Sequence, residues 1–127
     1  MQRNKGSKTR KKIGDKGEDK AVKYLEQKEY SVVCRNYRKN TGEIDIIASK
    51  ADTLVFVEVK TAPHGTLKTL EHLLGIEKQK RIVETAKCFL LSYRQYSNSY
   101  IRFDVLVIDM PCYPEVYHIE NAFSEFV

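Results

Sequence analysis

Asp45, Glu58 and Lys60 are the three side chains whose types and spacing carry chemistry most directly. Asp45 lies in "GEIDIIASK" and the other two in "DTLVFVEVKTA", runs that read as strands joined by a tight polar turn, hence a hairpin. In an antiparallel pair the numbers of opposed residues sum to a constant. With a two-residue loop at Ala51 and Asp52, or a four-residue loop over residues 50 to 53, that sum is 103 and Asp45 stands opposite Glu58. A three- or five-residue loop reverses the parity and sends the two carboxylates to opposite faces. Opposed Cβ atoms are about 5 Å apart, and like charges so placed repel. Lys60 projects from the face of Glu58, about 6.5–7 Å along the strand. Two acids and one amine leave a net negative charge that a divalent cation resolves. Mg²⁺ (or Mn²⁺) suits such a place, because it takes one or two carboxylates and keeps waters. Glu58 and Lys60 alone would be an ordinary ion pair at a strand end; Asp45 adds a charge that such a pair does not need.

Glu18 is a third acid, on the helical stripe of Ala21, Val22 and Leu25 and so directed at the sheet. It also completes a capping box, Asp15 to Glu18, which by itself accounts for it. Gln79 continues the stripe of Val83, Ala86 and Leu90, and a buried, satisfied amide is its simpler reading. Asp104 shares parity with Arg102 in "IRFDV", so a structural ion pair explains it and it stays outside the catalytic set.

These residues need elements to hold them. "GDKGEDKAVKYLEQKEY" predicts an amphipathic helix from about Lys16 to Gln27, and "YSVVCRNYR" a short strand before the hairpin. "PHGTLKTLEHLLG" has breakers at both ends and reads as irregular or briefly helical. A long helix follows in "IEKQKRIVETAKCFLLSYR". "YIRFDVLVIDM", apolar on both faces from Val105, predicts an interior strand, and "PEVYHIENAF" a weaker last one. The order αβββαββ predicts an α/β fold with a central mixed sheet flanked by helices.

The chain has 127 residues, enough for one domain with its own core. No apolar stretch approaches the length of a membrane span, and no apolar signal core opens the chain. Cys34, Cys88 and Cys112 are odd in number and widely spaced, which points to free thiols in a reducing cytoplasm. With His64, His72 and His118 they form no zinc spacing. The net charge of +5 is a local property. Residues 1–16 carry seven basic groups and one acid, and the other 111 residues have a net charge of −1. Residues 1–16 are therefore expected to be a flexible basic tail, either simply solvated or an arm that follows phosphates, ahead of one domain over 17–127. Arg35, Arg38 and Lys39, and then Lys78, Lys80 and Arg81, are clusters in the body suited to nucleic acid.

An acid on the first helix, then "GEID", then "VFVEVK", is similar to the PD-(D/E)XK nuclease superfamily, with Ile44 where the motif has proline. A closer resemblance is to the YraN-type family of small bacterial proteins. It covers "GDKGEDKAVKYL", "RNYRKNTGEIDIIA", "TLVFVEVKT", "EKQKRI" and "IRFDVLVI". That family resembles archaeal Holliday-junction resolvases in fold, which implies a restriction-endonuclease-like core. The resemblance implies Asp45 and Glu58 as metal ligands, the carbonyl of Val59 as a third, Glu18 as an auxiliary ligand and Lys60 as the catalytic lysine. Ala62 stands where the family usually has arginine, and residues 63–75 match poorly. The activity so implied is metal-dependent endonuclease cleavage of DNA, branched or otherwise structured, with Arg35, Arg38, Lys39, Lys78 and Gln79 touching nucleic acid. A resolvase-like role would call for a homodimer. The rival expectation is a nucleic-acid-binding protein that keeps the fold without turnover.

Overall fold

The computed structural model describes residues 5–124, with residues 5–15 and Glu71 described through the backbone alone. Helix α1 (Lys5–Gln27) precedes strands β1 (Ser31–Lys39), β2 (Gly42–Lys50) and β3 (Thr53–Thr61). A short helix α2 (Leu67–Glu71) and the long α3 (Ile76–Ser92) lead through a 3₁₀ turn to β4 (Tyr100–Ile108) and β5 (Val116–Phe123). The five strands lie in chain order in one mixed sheet. Every neighbouring pair is antiparallel except β3 and β4, which are parallel and joined by the crossover through α3. The chain is thus α/β, as its alternating patterns predict.

The two faces of the sheet carry separate cores. Ala21 and Leu25 of α1 pack with Ile46, Ala48, Val55, Val57, Leu106 and Ile108. Ile82, Val83, Ala86 and Phe89 of α3 pack with Ile47, Leu54, Phe56 and Phe103. Leu54 to Val57 are buried on both faces, which is why β3 reads as a continuous apolar run rather than an alternating one. Gly17 lets α1 approach this sheet closely, because a Cβ there would overlap the Thr61 hydroxyl. At its C-terminus α1 stops in a Schellman-type turn. Tyr30 N–H donates to Leu25, Glu29 N–H donates to Glu26, and Glu29 takes φ 70°.

Two expectations need correction. Helix α1 begins at Lys5, eleven residues before the start that its apolar stripe implies. Asp15 therefore lies inside the helix and the capping-box reading of Asp15–Glu18 fails. Residues 5–15 lack an apolar stripe, yet they are rich in lysine and arginine, which favour helix without any core to pack on. Of the expected tail, residues 1–4 lie outside the described residues, and residues 5–16 have helical backbone.

The Arg102–Asp104 ion pair is as expected, and larger. Asp104 is fully buried and accepts from Arg102 Nε at 2.9 Å and Nη2 at 2.8 Å. His118 Nε2 is 2.6 Å away and the Asn121 amide donates at 2.9 Å. Arg102 also donates to the Tyr30 hydroxyl, and Tyr24 Oη meets His118 Nδ1 at 2.9 Å. The network ties α1, β4 and β5 together.

Candidate functional site

The hairpin that carries the acids turns through Ala51 and Asp52, with Ala51 at φ 52°. Its pairs run from Lys50–Thr53 to Ile46–Val57, and each sums to the 103 that a two-residue loop dictates. The ladder then stops one pair short of Asp45 and Glu58. Asp45 Oδ2 instead accepts the Val59 amide at 2.8 Å, so a carboxylate oxygen does the work of a ladder carbonyl. Side-chain alternation breaks at the same place. Ile46 and Ala48 belong to the core under α1, whereas Ile44 joins the core under α3. Two acids forced face to face would repel, and the strands part where they would meet.

The electrostatics follow from this placement. Burial pushes the Asp45 carboxyl up to about 7, and the charge of Glu58 pushes in the same direction. The Val59 amide opposes both, while Glu18 and Glu43 add smaller upward effects. Asp45 is thus an acid short of positive charge. Glu58 is buried, and its Oε1 is 2.7 Å from Lys78 Nζ in the first turn of α3. Lys60 is exposed and, among the described residues, makes no ion pair or hydrogen bond.

Glu18 is buried on α1 and its Oε1 accepts from Arg35 Nε at 2.9 Å and from Asn36 Nδ2 at 3.1 Å. Arg35 reaches Asp19 as well, at 2.9 Å. Glu18 therefore acts on Asp45 through its charge, with its Oε1 already engaged. Arg38 pairs with Glu43 at 3.2 Å, and Lys39 lies over the Tyr37 ring at 5.5 Å. Gln79 donates to the Leu74 carbonyl at 3.0 Å, the satisfied amide that its apolar stripe suggests. Ala62 is buried beside Val105, Val107 and Met110.

Among the described residues no three His, Cys, Asp or Glu side chains gather as a metal-binding group. Among the carboxylates whose charge bears on Asp45, that of Glu58 does so most strongly. Two carboxylates completed by water fit Mg²⁺ or Mn²⁺, which do not need an all-protein cage. Two residues of this neighbourhood were not visible as partners in the sequence. Asn36, at φ 54°, is placed against Glu18 by an irregular stretch of β1. Lys78, expected to contact nucleic acid, sits near the positive end of the α3 dipole, where a cation is unfavourable, and that misfit is the readable sign of a partner within the fold.

Residues 17–108 match the family described as "Uncharacterised protein family UPF0102". The chain belongs to UPF0102. A UPF0102 protein of Treponema pallidum (strain Nichols) is 43% identical over 119 residues, covering 91% of this chain and 94% of its own length. One from Treponema denticola is 40% identical over 126 residues, covering 89% and 95%. Another, from Acinetobacter baylyi, is 38% identical over 99 residues, covering 78% and 71%. The UPF0102 match includes Glu18, Asp45, Glu58, Lys60 and Lys78. No helix among the described residues is long and apolar enough to cross a membrane.

Proposed function

We propose that this UPF0102 protein is a metal-dependent endonuclease with a restriction-endonuclease-like core, hydrolysing phosphodiester bonds in DNA, branched or structured DNA included. The observation that carries the reading is the raised carboxyl of Asp45, which takes the Val59 amide at the parted end of the hairpin and feels the charge of Glu58 with no cation of its own among the described residues. Asp45 and Glu58 would hold Mg²⁺ or Mn²⁺. The chemistry such an ion supplies is polarisation of a phosphoryl oxygen and a lower pKa for a water.

The protein's own groups do the rest. Val59 N–H fixes one Asp45 oxygen and leaves the other for a ligand. Lys60, two residues beyond Glu58 and unengaged, offers its ammonium to the charge that builds on the attacked phosphate. Arg38, Lys39, Lys80 and Arg81 are exposed and supply contacts to the phosphate backbone that do not depend on sequence.

The test is a cleavage panel of linear, flapped and four-way DNA with Mg²⁺ or Mn²⁺. Metal-dependent cutting of at least one structure by the wild type, abolished in Asp45→Ala, is the expected result. No cutting of any structure, or equal cutting by Asp45→Ala, would contradict it. A second reading is a non-catalytic nucleic-acid-binding protein, favoured by the fact that Glu18 and Glu58 already have basic partners in Arg35 and Lys78. It predicts salt-dependent binding that survives Lys60→Ala and no cleavage.

A further inference from the structure

Lys78 is an unusual residue for its position. It is the third residue of α3, where the amide dipoles present positive charge and a cation is disfavoured. Glu77, its neighbour in the same turn, is the type that such a position prefers. Helix stability therefore does not account for Lys78. Its contact does, because Nζ lies 2.7 Å from Glu58 Oε1. The two partners are unequally placed. The Glu58 side chain is 10% exposed and that of Lys78 is 53% exposed, so the acid is fixed in the fold and the amine can leave into solvent.

A buried carboxylate without a counter-charge is costly, and the lysine meets that need. The same carboxylate is one that a divalent ion must use. We propose that Lys78 is an exchangeable counter-cation: a divalent ion takes Glu58 while a nucleic-acid phosphate takes the released ammonium. This rests on the reading of Asp45 and Glu58 as an ion site. Lys80 and Arg81, exposed on the same helix, extend the phosphate-facing charge once Lys78 swings away. Metal and nucleic acid then assist each other, because each removes one half of a pair that opposes the other. By linkage the assistance is equal in both directions.

The experiment uses the full chain carrying Lys60→Ala, so that DNA stays intact, with Lys78 kept or changed to Met or Arg. Mg²⁺ is titrated calorimetrically into each protein, and binding of a short DNA duplex is measured with and without Mg²⁺. Loss of one partly exposed ion pair should tighten Mg²⁺ binding by Lys78→Met by about two- to fivefold. Mg²⁺ should tighten DNA binding by the Lys78 protein and cease to do so in Lys78→Met, while Lys78→Arg keeps the coupling. The salt slope of DNA binding should also fall in Lys78→Met by about one phosphate contact. Equal Mg²⁺ affinity with unchanged coupling would overturn the proposal and leave Lys78 as a fixed structural partner. Failure of every protein to bind Mg²⁺ would overturn it together with the ion-site reading.

Discussion

Asp45 Oδ2 accepts the backbone amide of Val59 at 2.8 Å, one residue beyond the acid whose charge bears on it most strongly. This bond lets a hairpin carry two carboxylates at its parted end: the strands stay joined through a side chain where the regular ladder has stopped.

Stability should register the burial of the Asp45 charge and, after it, the repulsion from Glu58. Asp45 titrates at about 7 in the fold, against about 3.9 in an unfolded chain. The folded state therefore holds a proton that the unfolded state has lost, and stability falls as pH rises through that window. The penalty is fully present above the folded value. Asp45→Asn keeps an acceptor for Val59 and removes the charge. At pH 8 it should be more stable than wild type, by on the order of 1–3 kcal/mol after solvent screening, with the gap closing toward pH 4. Thermal melts across that range check this; parallel pH profiles for the two proteins would contradict it.

Lys60 should matter for turnover and not for folding. Its side chain is exposed and unengaged among the described residues, so Lys60→Ala should leave the melting temperature within about a degree or two. Cleavage should fall by roughly 10²- to 10³-fold, the usual loss when one group facing a transition-state charge is removed. A variant that cuts as fast as wild type would remove Lys60 from the mechanism.

The Asp104 network predicts the opposite pattern. Burial alone would raise the Asp104 carboxyl, but hydrogen bonds from His118, Arg102 and the Asn121 amide outweigh it and hold the group below its ordinary value. A depressed acid contributes stability above its unfolded pKa and loses it as pH falls through the folded one. Asp104→Ala should therefore cost on the order of 3 kcal/mol at neutral pH, by stranding Arg102 and His118. The cost should shrink under acid, and DNA cleavage by the folded fraction should be unchanged. Denaturant titrations at neutral and acid pH, read beside a cleavage assay, measure both.

Much of this was legible because strands obey parity. The interior position of β4 and the Arg102–Asp104 pair follow from alternation, and the 103 register is the outcome expected of an even-length loop, the odd-length alternative being the one the structure excludes. What alternation could not supply were places where the backbone departs from it. Asn36 is left-handed in a strand, and the Asp45 carboxylate replaces a ladder acceptor, so neither partner is found by counting. The early start of α1 escaped for a different reason: helix formed by propensity over Lys5–Asp15 leaves no apolar stripe to read. Lys78 and Glu58 are twenty residues apart in sequence and meet only through the crossover of α3.

A calorimetric titration of Mg²⁺ into wild type, Asp45→Asn, Glu58→Gln and the double variant tests the shared ion site most directly. If the two carboxylates hold one ion, wild type binds and each single substitution abolishes binding as completely as both together. Wild type that takes up no Mg²⁺, or single variants that bind as well as it does, would contradict the account.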